Sequence, residues 1–178
     1  MVLIGIVCVG PHNEMGINNR CCFDIPEDRK FFRSLIANHI VYVGRKTFES
    51  MPKSVLQLCK QVNVITRSKC ENKQNDDKIC FCNGIDENYI EKIKDPIYVI
   101  GGNEIFKSFQ SIIEAFYVTR VNRPVKAADT YFTVDLTPYI CRKSDNNTPS
   151  GDDWKIVKYT KCNYEPDIKT YPPKQKLV

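Results

Sequence analysis

Apolar runs of strand length alternate along this chain with segments that have the spacing of amphipathic helices. The strand candidates occupy residues 3–9, 40–43, 62–66, 79–82, 96–100 and 115–121. Several of these runs lack the polar alternation of a half-exposed strand, which indicates strands covered on both faces and hence a largely parallel sheet. Helices are predicted in the intervals, over residues 26–37, from residue 46, over 86–93 and over 103–111.

Strand–helix alternation of this kind is typical of a layered α/β domain with right-handed crossovers. A last strand is predicted over residues 154–162, antiparallel at one side of the sheet. Because 178 residues suit one domain and no repeat divides them, we predict a single domain over 1–178. Its twisted, mostly parallel central sheet should lie between helices on both faces. The tail from about residue 163 is left unassigned, since Tyr171-Pro172-Pro173 would interrupt a final strand.

The composition is that of a soluble globular protein, with 42% hydrophobic and 26% charged residues. No segment approaches the about 20 apolar residues of a membrane-spanning helix, and the apolar start lacks the flanks of a secretion signal. The net charge of +5 is spread along the chain, whereas nucleic-acid binders usually concentrate basic residues on one element. We therefore expect a cytoplasmic protein without membrane or nucleic-acid partners, with some attraction for a small anionic ligand.

Nine cysteines are an unusually high number for a chain of this length. They include no Cys-x-x-Cys pair, so no metal site is predicted. Without a secretion signal we expect reduced thiols, as is usual in cytosolic proteins. Cys8, Cys80 and Cys82 lie within apolar runs and are interpreted as small core residues.

Asp28 is the most informative single residue. It lies in a predicted helix that begins at Pro26, a favoured first helical residue. Phe31, Phe32 and Leu35 follow it at helical spacing, so this carboxylate shares the apolar face. A carboxylate there is costly and its pKa should rise, which is typical of a group that holds or passes a proton. The alternative is a helix-start Asp that turns back to water.

Three polar clusters follow predicted strands and precede helices or loops. They are Gly101-Gly102, Gly44-Arg45-Lys46-Thr47 and Thr66-Arg67-Ser68. Ligands of open α/β sheets bind at the carboxyl ends of strands, and helix N-termini attract phosphate. The clusters therefore predict one extended, multiply phosphorylated ligand, such as a dinucleotide with an extra phosphate. The alternative is that they are ordinary solvated strand ends.

Taken together, these segments resemble the dihydrofolate reductase family over nearly the whole chain to about Cys162. The resemblance is carried by Ile6-Val7-Cys8-Val9, Met15-Gly16, Ile25-Pro26-Glu27-Asp28 with Phe32, Gly44-Arg45-Lys46-Thr47-Phe48-Glu49-Ser50, Ile97-Tyr98-Val99-Ile100-Gly101-Gly102, Tyr117-Val118-Thr119-Arg120 and Asp129-Thr130-Tyr131-Phe132. It implies the three-layer fold of that family and NADPH-dependent reduction of 7,8-dihydrofolate to tetrahydrofolate, which supports one-carbon metabolism and thymidylate synthesis. It further implies a monomer that binds dihydrofolate and antifolates.

The resemblance also implies roles by position. Asp28 resembles the carboxylate that binds the pteridine 2-amino and N3 groups and supports protonation at N5, and Thr119 resembles the hydroxyl that hydrogen-bonds it. The substrate pocket would include Ile6, Val7, Phe32, Arg33, Met51 and Ile100. The NADPH site would include Cys8, Met15, Gly16, Gly44, Arg45, Lys46, Thr47, Thr66, Arg67, Ser68, Ile100, Gly101, Gly102, Asn103, Glu104, Ile105 and Phe106.

The chain departs from the family pattern at several positions. Cys22-Phe23 replaces Pro-Trp, and a phenylalanine cannot donate the hydrogen bond of the indole. The arginine that forks onto the substrate's α-carboxylate is replaced by Lys60 or Gln61, which predicts weaker folate binding. These departures leave open a binding protein on a reductase scaffold with weakened or lost catalysis. A riboflavin-pathway pyrimidine reductase of the same fold is a further alternative.

Overall fold

A computed structural model of the chain describes residues 2–67, 78–142 and 148–162. The strands in these parts are β1 Leu3–Val9, β2 Glu14–Ile17, β3 Arg20–Cys21, β4 Ile40–Gly44, β5 Gln61–Ile65, β6 Ile79–Cys82, β7 Ile97–Val99, β8 Ala115–Val121, β9 Thr130–Tyr131, β10 Tyr139–Arg142 and β11 Trp154–Lys161. The helices are α1 Pro26–Ile36, α2 Arg45–Ser50, α3 Lys53–Leu56, α4 Glu87–Glu91 and α5 Asn103–Phe109.

Eight strands form the central sheet, in the order β10-β11-β8-β1-β7-β4-β5-β6. The run from β8 to β6 is parallel throughout. β11 pairs antiparallel with β8, and β10 pairs antiparallel with β11. The predicted fold class is therefore confirmed, including the antiparallel strand near the C-terminus. The predicted interruption at Tyr171-Pro172-Pro173 lies outside the described residues.

Both faces of the sheet are covered, which explains why its strands lack polar alternation. On one face α4 and α5 pack on the sheet, and the buried residues there include Val7, Tyr42, Ile90, Phe106, Phe109 and Phe116. On the other face α1 and α3 pack on it, with Ile4, Leu35, Ile36, Val43, Val55 and Tyr117. We call these the α5 face and the α1 face.

A second, three-stranded sheet in the order β3-β2-β9 was not predicted. β2 and β3 form a hairpin whose two turn residues, Asn18 and Asn19, have φ of 51° and 60°. Asn tolerates positive φ, and a two-residue turn of this kind matches the twist of a hairpin. Asp129 holds the hairpin, since its carboxylate accepts a 2.7 Å hydrogen bond from the Asn18 amide and its own amide donates to the Gly16 carbonyl.

Two further observations bear on the sequence-based expectations. No helix within the described ranges has the length and apolar character needed to cross a bilayer. The eight cysteines in those ranges carry free thiols. Cys8, Cys80 and Cys82 are half-buried at the margins of the core, so the prediction that they are core residues holds only in part.

Candidate active site

Asp28 and Thr119 meet between α1 and the sheet. The Thr119 hydroxyl of β8 donates a hydrogen bond of 2.5 Å to Asp28 Oδ1, although the two residues are 91 positions apart. Thr119 is buried and Asp28 is half-buried. Burial raises the pKa of the Asp28 carboxyl above its ordinary value, and the hydrogen bond from Thr119 offsets part of that rise. The side chain therefore faces the sheet and does not turn back to water.

The packing of α1 explains why Asp28 faces inward. Leu35 and Ile36 bury the last turn of the helix. Phe31 packs edge-on against Tyr117, with ring centroids 5.4 Å apart. Tyr117 precedes Thr119 by two residues on the same strand, so both side chains project from one face of the sheet. The contact between Phe31 and Tyr117 therefore holds the first turn of α1 close to β8, and this places Asp28 next to Thr119.

Several apolar side chains of the predicted pocket lie on the same face of the sheet as this carboxylate. Ile6, Phe32 and Met51 are half-buried and pack against the core of the α1 face, and Ile100 is buried within it. Val7 lies in the core of the α5 face, so its side chain points away from Asp28. Arg33 is exposed and donates to the Ser54 hydroxyl at 3.3 Å, which links α1 to α3. In the described parts of the chain no cation forms an ion pair with Asp28.

The carboxyl ends of β4 and β7 touch each other. The Gly44 amide donates to the Gly101 carbonyl at 2.7 Å. A Cβ on Gly44 would lie 2.9 Å from the Ile105 side chain, and one on Gly102 would lie 3.2 Å from the Thr47 hydroxyl. Gly101 has φ of +102°, a conformation suited to glycine. A side chain at Gly44 or Gly102 would therefore crowd its neighbour, and the positive φ of Gly101 favours glycine there.

The cations of this edge are exposed. Lys46 and Arg67 are at the surface, and Arg45 pairs with Glu49 at 2.7 Å within α2. Thr66 is buried at the end of β5, where its amide donates to the Cys82 carbonyl. Since β7, β4 and β5 are neighbours in the sheet, the structure places these clusters along one edge. Ser68 lies outside the described residues.

At the start of α5, fewer side chains are available to bind a cofactor than the sequence analysis predicts. The Asn103 side chain holds Thr133 through two hydrogen bonds of 2.9 Å. Phe106 is 1% exposed, and its ring packs against Phe116 and Phe132. Ile105 is half-buried beside Gly44, and Glu104 is exposed. The ring of Phe106 belongs to the core and is not available to a ligand.

The geometry separates the two candidates for the missing arginine. Gln61 donates to Asn63 at 2.9 Å, and its carbonyl accepts from the Tyr89 hydroxyl. Strand alternation puts Gln61 and Asn63 on the face opposite Val62, and Val62 belongs to the core of the α1 face. Gln61 therefore points away from α1. Lys60 is exposed just before β5, and its position is compatible with the role.

A cysteine of β1 lies beside the Asp28–Thr119 pair. Cys8 is aligned with Thr119 across the β1–β8 pair. Cys21 pairs with Gly16 in the hairpin, and the Cys22 amide donates to the Met15 carbonyl. Spacing alone could not predict the position of Cys21, because the hairpin that carries it is held by distant contacts such as that between Asn18 and Asp129.

A cavity of about 370 Å³ opens elsewhere, lined by Asn13, Arg120, Phe132, Val134, Asp135, Leu136, Thr137 and Tyr159. It contains none of the predicted site residues. Phe132 and Val134 belong to the core of the α5 face, so this cavity is separated from Asp28 by the sheet. In the described ranges, His, Cys, Asp and Glu form no group of three suited to hold a metal ion.

Comparison with known proteins places this site in a family. The model of the dihydrofolate reductase family matches residues 2–165. The chain belongs to the dihydrofolate reductase family. It is 30% identical to dihydrofolate reductase of Haemophilus influenzae over 71% of this chain and 76% of that protein. It is 29% identical to the Lactococcus lactis enzyme of the same name over 74% of this chain and 77% of that protein.

A solved structure shows the same fold. It is a dihydrofolate reductase from Enterococcus faecalis in complex with NADP(H) and RAB-propyl. The TM-score is 0.76 at 18% sequence identity, and the match covers 91% of this chain and 97% of that one. The family's three-layer fold is thus present over nearly the whole chain.

Proposed function

We propose that this protein is an NADPH-dependent reductase of 7,8-dihydrofolate. It would form tetrahydrofolate by hydride transfer to C6 and protonation at N5, and so support one-carbon metabolism and thymidylate synthesis. The single observation that carries the proposal is the Asp28–Thr119 hydrogen bond on the α1 face, which also carries half-buried apolar side chains such as Ile6 and Phe32. A carboxylate that has no cationic partner among the described residues suits a ligand that brings its own N–H donors.

Asp28 would perform two tasks. It would accept hydrogen bonds from the 2-amino and N3 groups of the pteridine, and it would support protonation at N5. Burial raises its pKa above that of an ordinary Asp, so the carboxyl accepts a proton more readily. Thr119 would fix the orientation of the carboxylate through its hydrogen bond. Ile6, Phe32 and Met51 would exclude water from the reacting ring and so strengthen these electrostatic interactions.

The residues at the strand ends fit NADPH by their chemistry. The helices α2 and α5 begin directly after Gly44 and Gly102. No side chain caps the first amides of either helix. Thr47 and Thr66 supply hydroxyl groups nearby, and Arg45, Lys46 and Arg67 supply exposed positive charge for a 2′-phosphate. When bound, NADPH supplies the hydride. Cys8, Met15 and Gly16 would complete the nicotinamide side of the site.

The further expectations remain part of this proposal. The protein would act as a monomer in the cytoplasm, and antifolates would compete with dihydrofolate for the cleft. Lys60 would replace the arginine that holds the glutamate tail, with a charge but without a two-pronged hydrogen bond. Phe23 would leave the pteridine without an indole N–H donor.

The direct test is NADPH consumption by the purified protein with dihydrofolate as substrate. We expect saturable turnover that antifolates inhibit. No turnover despite tight binding of both ligands would establish the alternative of a binding protein, which Phe23 and Lys60 motivate. Turnover only with the ribosylaminopyrimidine of the riboflavin pathway would establish the second alternative. The Asp28–Thr119 pair favours folate over that substrate.

A further inference from the structure

The cavity of about 370 Å³ on the α5 face takes no part in the proposed function. The most deeply buried of its lining residues are Phe132 and Val134, which are 2% and 7% exposed. Leu136 and Tyr159 also line it and are half-buried. Sites for small ligands are typically concave and largely apolar, with a few polar groups that orient the ligand. We therefore asked which polar groups this cavity contains.

Arg120 is the positive charge among the lining residues. It follows Thr119 on β8, so its side chain points to the face opposite the Thr119 hydroxyl. Arg120 is half-buried and donates hydrogen bonds to Asn13 Oδ1 at 2.9 Å and to the Tyr159 hydroxyl at 3.4 Å. Its guanidinium also lies 5.7 Å from the centre of the Tyr159 ring. These contacts hold the guanidinium in one orientation at the cavity.

The charge of Arg120 is not neutralised by a neighbour. Within the described ranges no carboxylate forms an ion pair with Arg120. A guanidinium has several N–H donors, and the bonds to Asn13 and Tyr159 use only some of them. A carboxylate can accept two parallel hydrogen bonds from one guanidinium. Arg120 is therefore suited to hold the carboxylate of a ligand.

The walls of the cavity are fixed before any ligand binds. Residues 132–137 lie between β9 and β10, and contacts with other parts of the chain hold them. The Phe132 amide donates to the Asn13 carbonyl at 2.8 Å. The Gln110 side chain donates to the Asp135 carbonyl at 3.0 Å. Because this segment is already ordered, a ligand would bind without the entropic cost of ordering it.

Asp135 restricts the charge that a ligand can carry. It is exposed, and its carboxylate accepts hydrogen bonds of 2.9 Å from the amide and the hydroxyl of Thr137. These bonds lower the pKa of Asp135, so it is ionised at neutral pH. A doubly charged phosphate would be repelled by this carboxylate more strongly than a singly charged group. The cavity therefore favours a monoanion.

We propose that this cavity is a binding site for a small monocarboxylate with a short apolar or aromatic body. The carboxylate accepts hydrogen bonds from Arg120, and the apolar body contacts Leu136 and Tyr159. The cavity and Asp28 lie on opposite faces of the sheet, so the site is independent of the proposed reductase activity.

The first experiment compares ligands on the unmodified full chain. Isotope-labelled protein is titrated with 3-phenylpropionate, and the amide resonances are followed by NMR. We expect saturable shifts at Arg120, Leu136 and Tyr159 and none at Asp28. The uncharged 3-phenylpropanamide and the ring-free acetate should each bind about tenfold more weakly, because each lacks one of the two contacts. This comparison does not depend on the folding of any variant.

The second experiment changes the cation. Arg120→Met should weaken 3-phenylpropionate by about tenfold or more and leave the amide nearly unchanged. Arg120→Lys keeps the charge without the paired donors, so its loss should be smaller. Lys94→Met is the matched control, since Lys94 is an exposed cation before β7 that does not line the cavity, and it should bind as wild type. Urea unfolding confirms that each variant is folded.

A further variant tests the charge restriction. Asp135→Asn removes the negative charge of the cavity and should tighten 3-phenylpropionate by about twofold, the size expected for an exposed charge. Weaker binding by this variant would contradict the assigned repulsion and the preference for a monoanion.

Several outcomes would overturn the proposal. They are the absence of saturable shifts, equal affinity for the acid and its amide, and unchanged binding by folded Arg120→Met. Shifts at Arg45, Lys46 and Arg67 without shifts at the cavity would place the acid at the candidate cofactor site instead. Because the shifts are read residue by residue and without turnover, failure of the proposed reductase activity would leave this test unaffected.

Discussion

The two faces of the central sheet contain similar apolar residues but differ in how deeply these residues are buried. On the α5 face, Phe106, Phe116 and Phe132 are at most 2% exposed and pack ring against ring at 5.9, 5.7 and 5.8 Å. On the α1 face, Ile6, Phe32 and other apolar side chains remain half-buried around a carboxylate. The aromatic cluster of the α5 face is closed by packing, whereas the α1 face holds a carboxylate among half-buried apolar side chains. We therefore expect the aromatic cluster to act mainly on stability and the surroundings of Asp28 to act mainly on binding.

The largest effect should come from a substitution in the aromatic cluster of the α5 face. Phe116→Ala removes a fully buried ring and should lower the free energy of unfolding by about 3–5 kcal/mol. The kcat/KM of the remaining folded protein should change little, because Thr119 projects from the opposite face. Urea unfolding with parallel assays measures both quantities. Phe32→Ala is the control on the α1 face, with a smaller loss of stability and a larger loss of folate affinity.

The next effect concerns the carboxylate itself. Asp28→Asn keeps the shape but cannot carry a proton, so kcat/KM at neutral pH should fall by about 100-fold or more. Glu27→Gln changes an exposed carboxylate in the same turn of α1. The kcat/KM of this variant should stay within about twofold of wild type, because surface substitutions usually have small effects. Activity of Asp28→Asn above half that of wild type would remove Asp28 from the mechanism.

The same substitution predicts a pH dependence of stability. Burial raises the pKa of Asp28 in the folded state, so the folded protein disfavours the ionised form. Ionisation of Asp28 therefore lowers the free energy of unfolding. This loss grows as the pH rises from the pKa of Asp28 in the unfolded chain to its higher pKa in the folded protein. Unfolding of the ligand-free protein should show Asp28→Asn more stable than wild type at pH 7, with the difference vanishing in acid. A constant difference across this range would contradict the assigned cause.

A smaller effect is expected at Lys60, which we propose to hold the glutamate tail of the substrate. Lys60→Arg should lower KM for dihydrofolate by about tenfold, on the order of 1.4 kcal/mol, because a guanidinium holds a carboxylate with two hydrogen bonds. Antifolates without a glutamate tail should show no gain. Gln61→Arg serves as the control, since its side chain points to the other face. An unchanged KM for Lys60→Arg would assign the tail to another cation, such as Arg33.

The smallest effect concerns the choice between cofactors. Arg45→Ala should weaken NADPH by about fivefold, roughly 1 kcal/mol, and leave NADH nearly unchanged, because charge-assisted bonds at exposed sites are reduced by solvent. Glu49→Gln releases Arg45 from its ion pair and should tighten NADPH slightly, by about 0.3–0.5 kcal/mol. Fluorescence titration with both cofactors measures these changes. Equal losses for NADH would place Arg45 at the diphosphate or in the fold.

The central sheet could be predicted from the pattern of residues because buried strands need continuous apolar runs. β1, β6 and β8 have the predicted bounds, and the helices α1 and α5 begin at the predicted residues. The small sheet could not be predicted in this way. β2, β3 and β9 are short, and contacts such as that between Asn18 and Asp129, 111 residues apart, determine their position.

The sequence by itself determined the layered architecture, the inward face of α1 and the polar clusters at the strand ends, since each follows from local spacing. Only the tertiary structure decided that Asp28 faces Thr119 and not water, that Gln61 points away from the cleft, and that Phe106 belongs to the core. The physical reason is that hydrogen bonds, side-chain packing and pKa shifts depend on partners far away in the chain, which local periodicity does not specify.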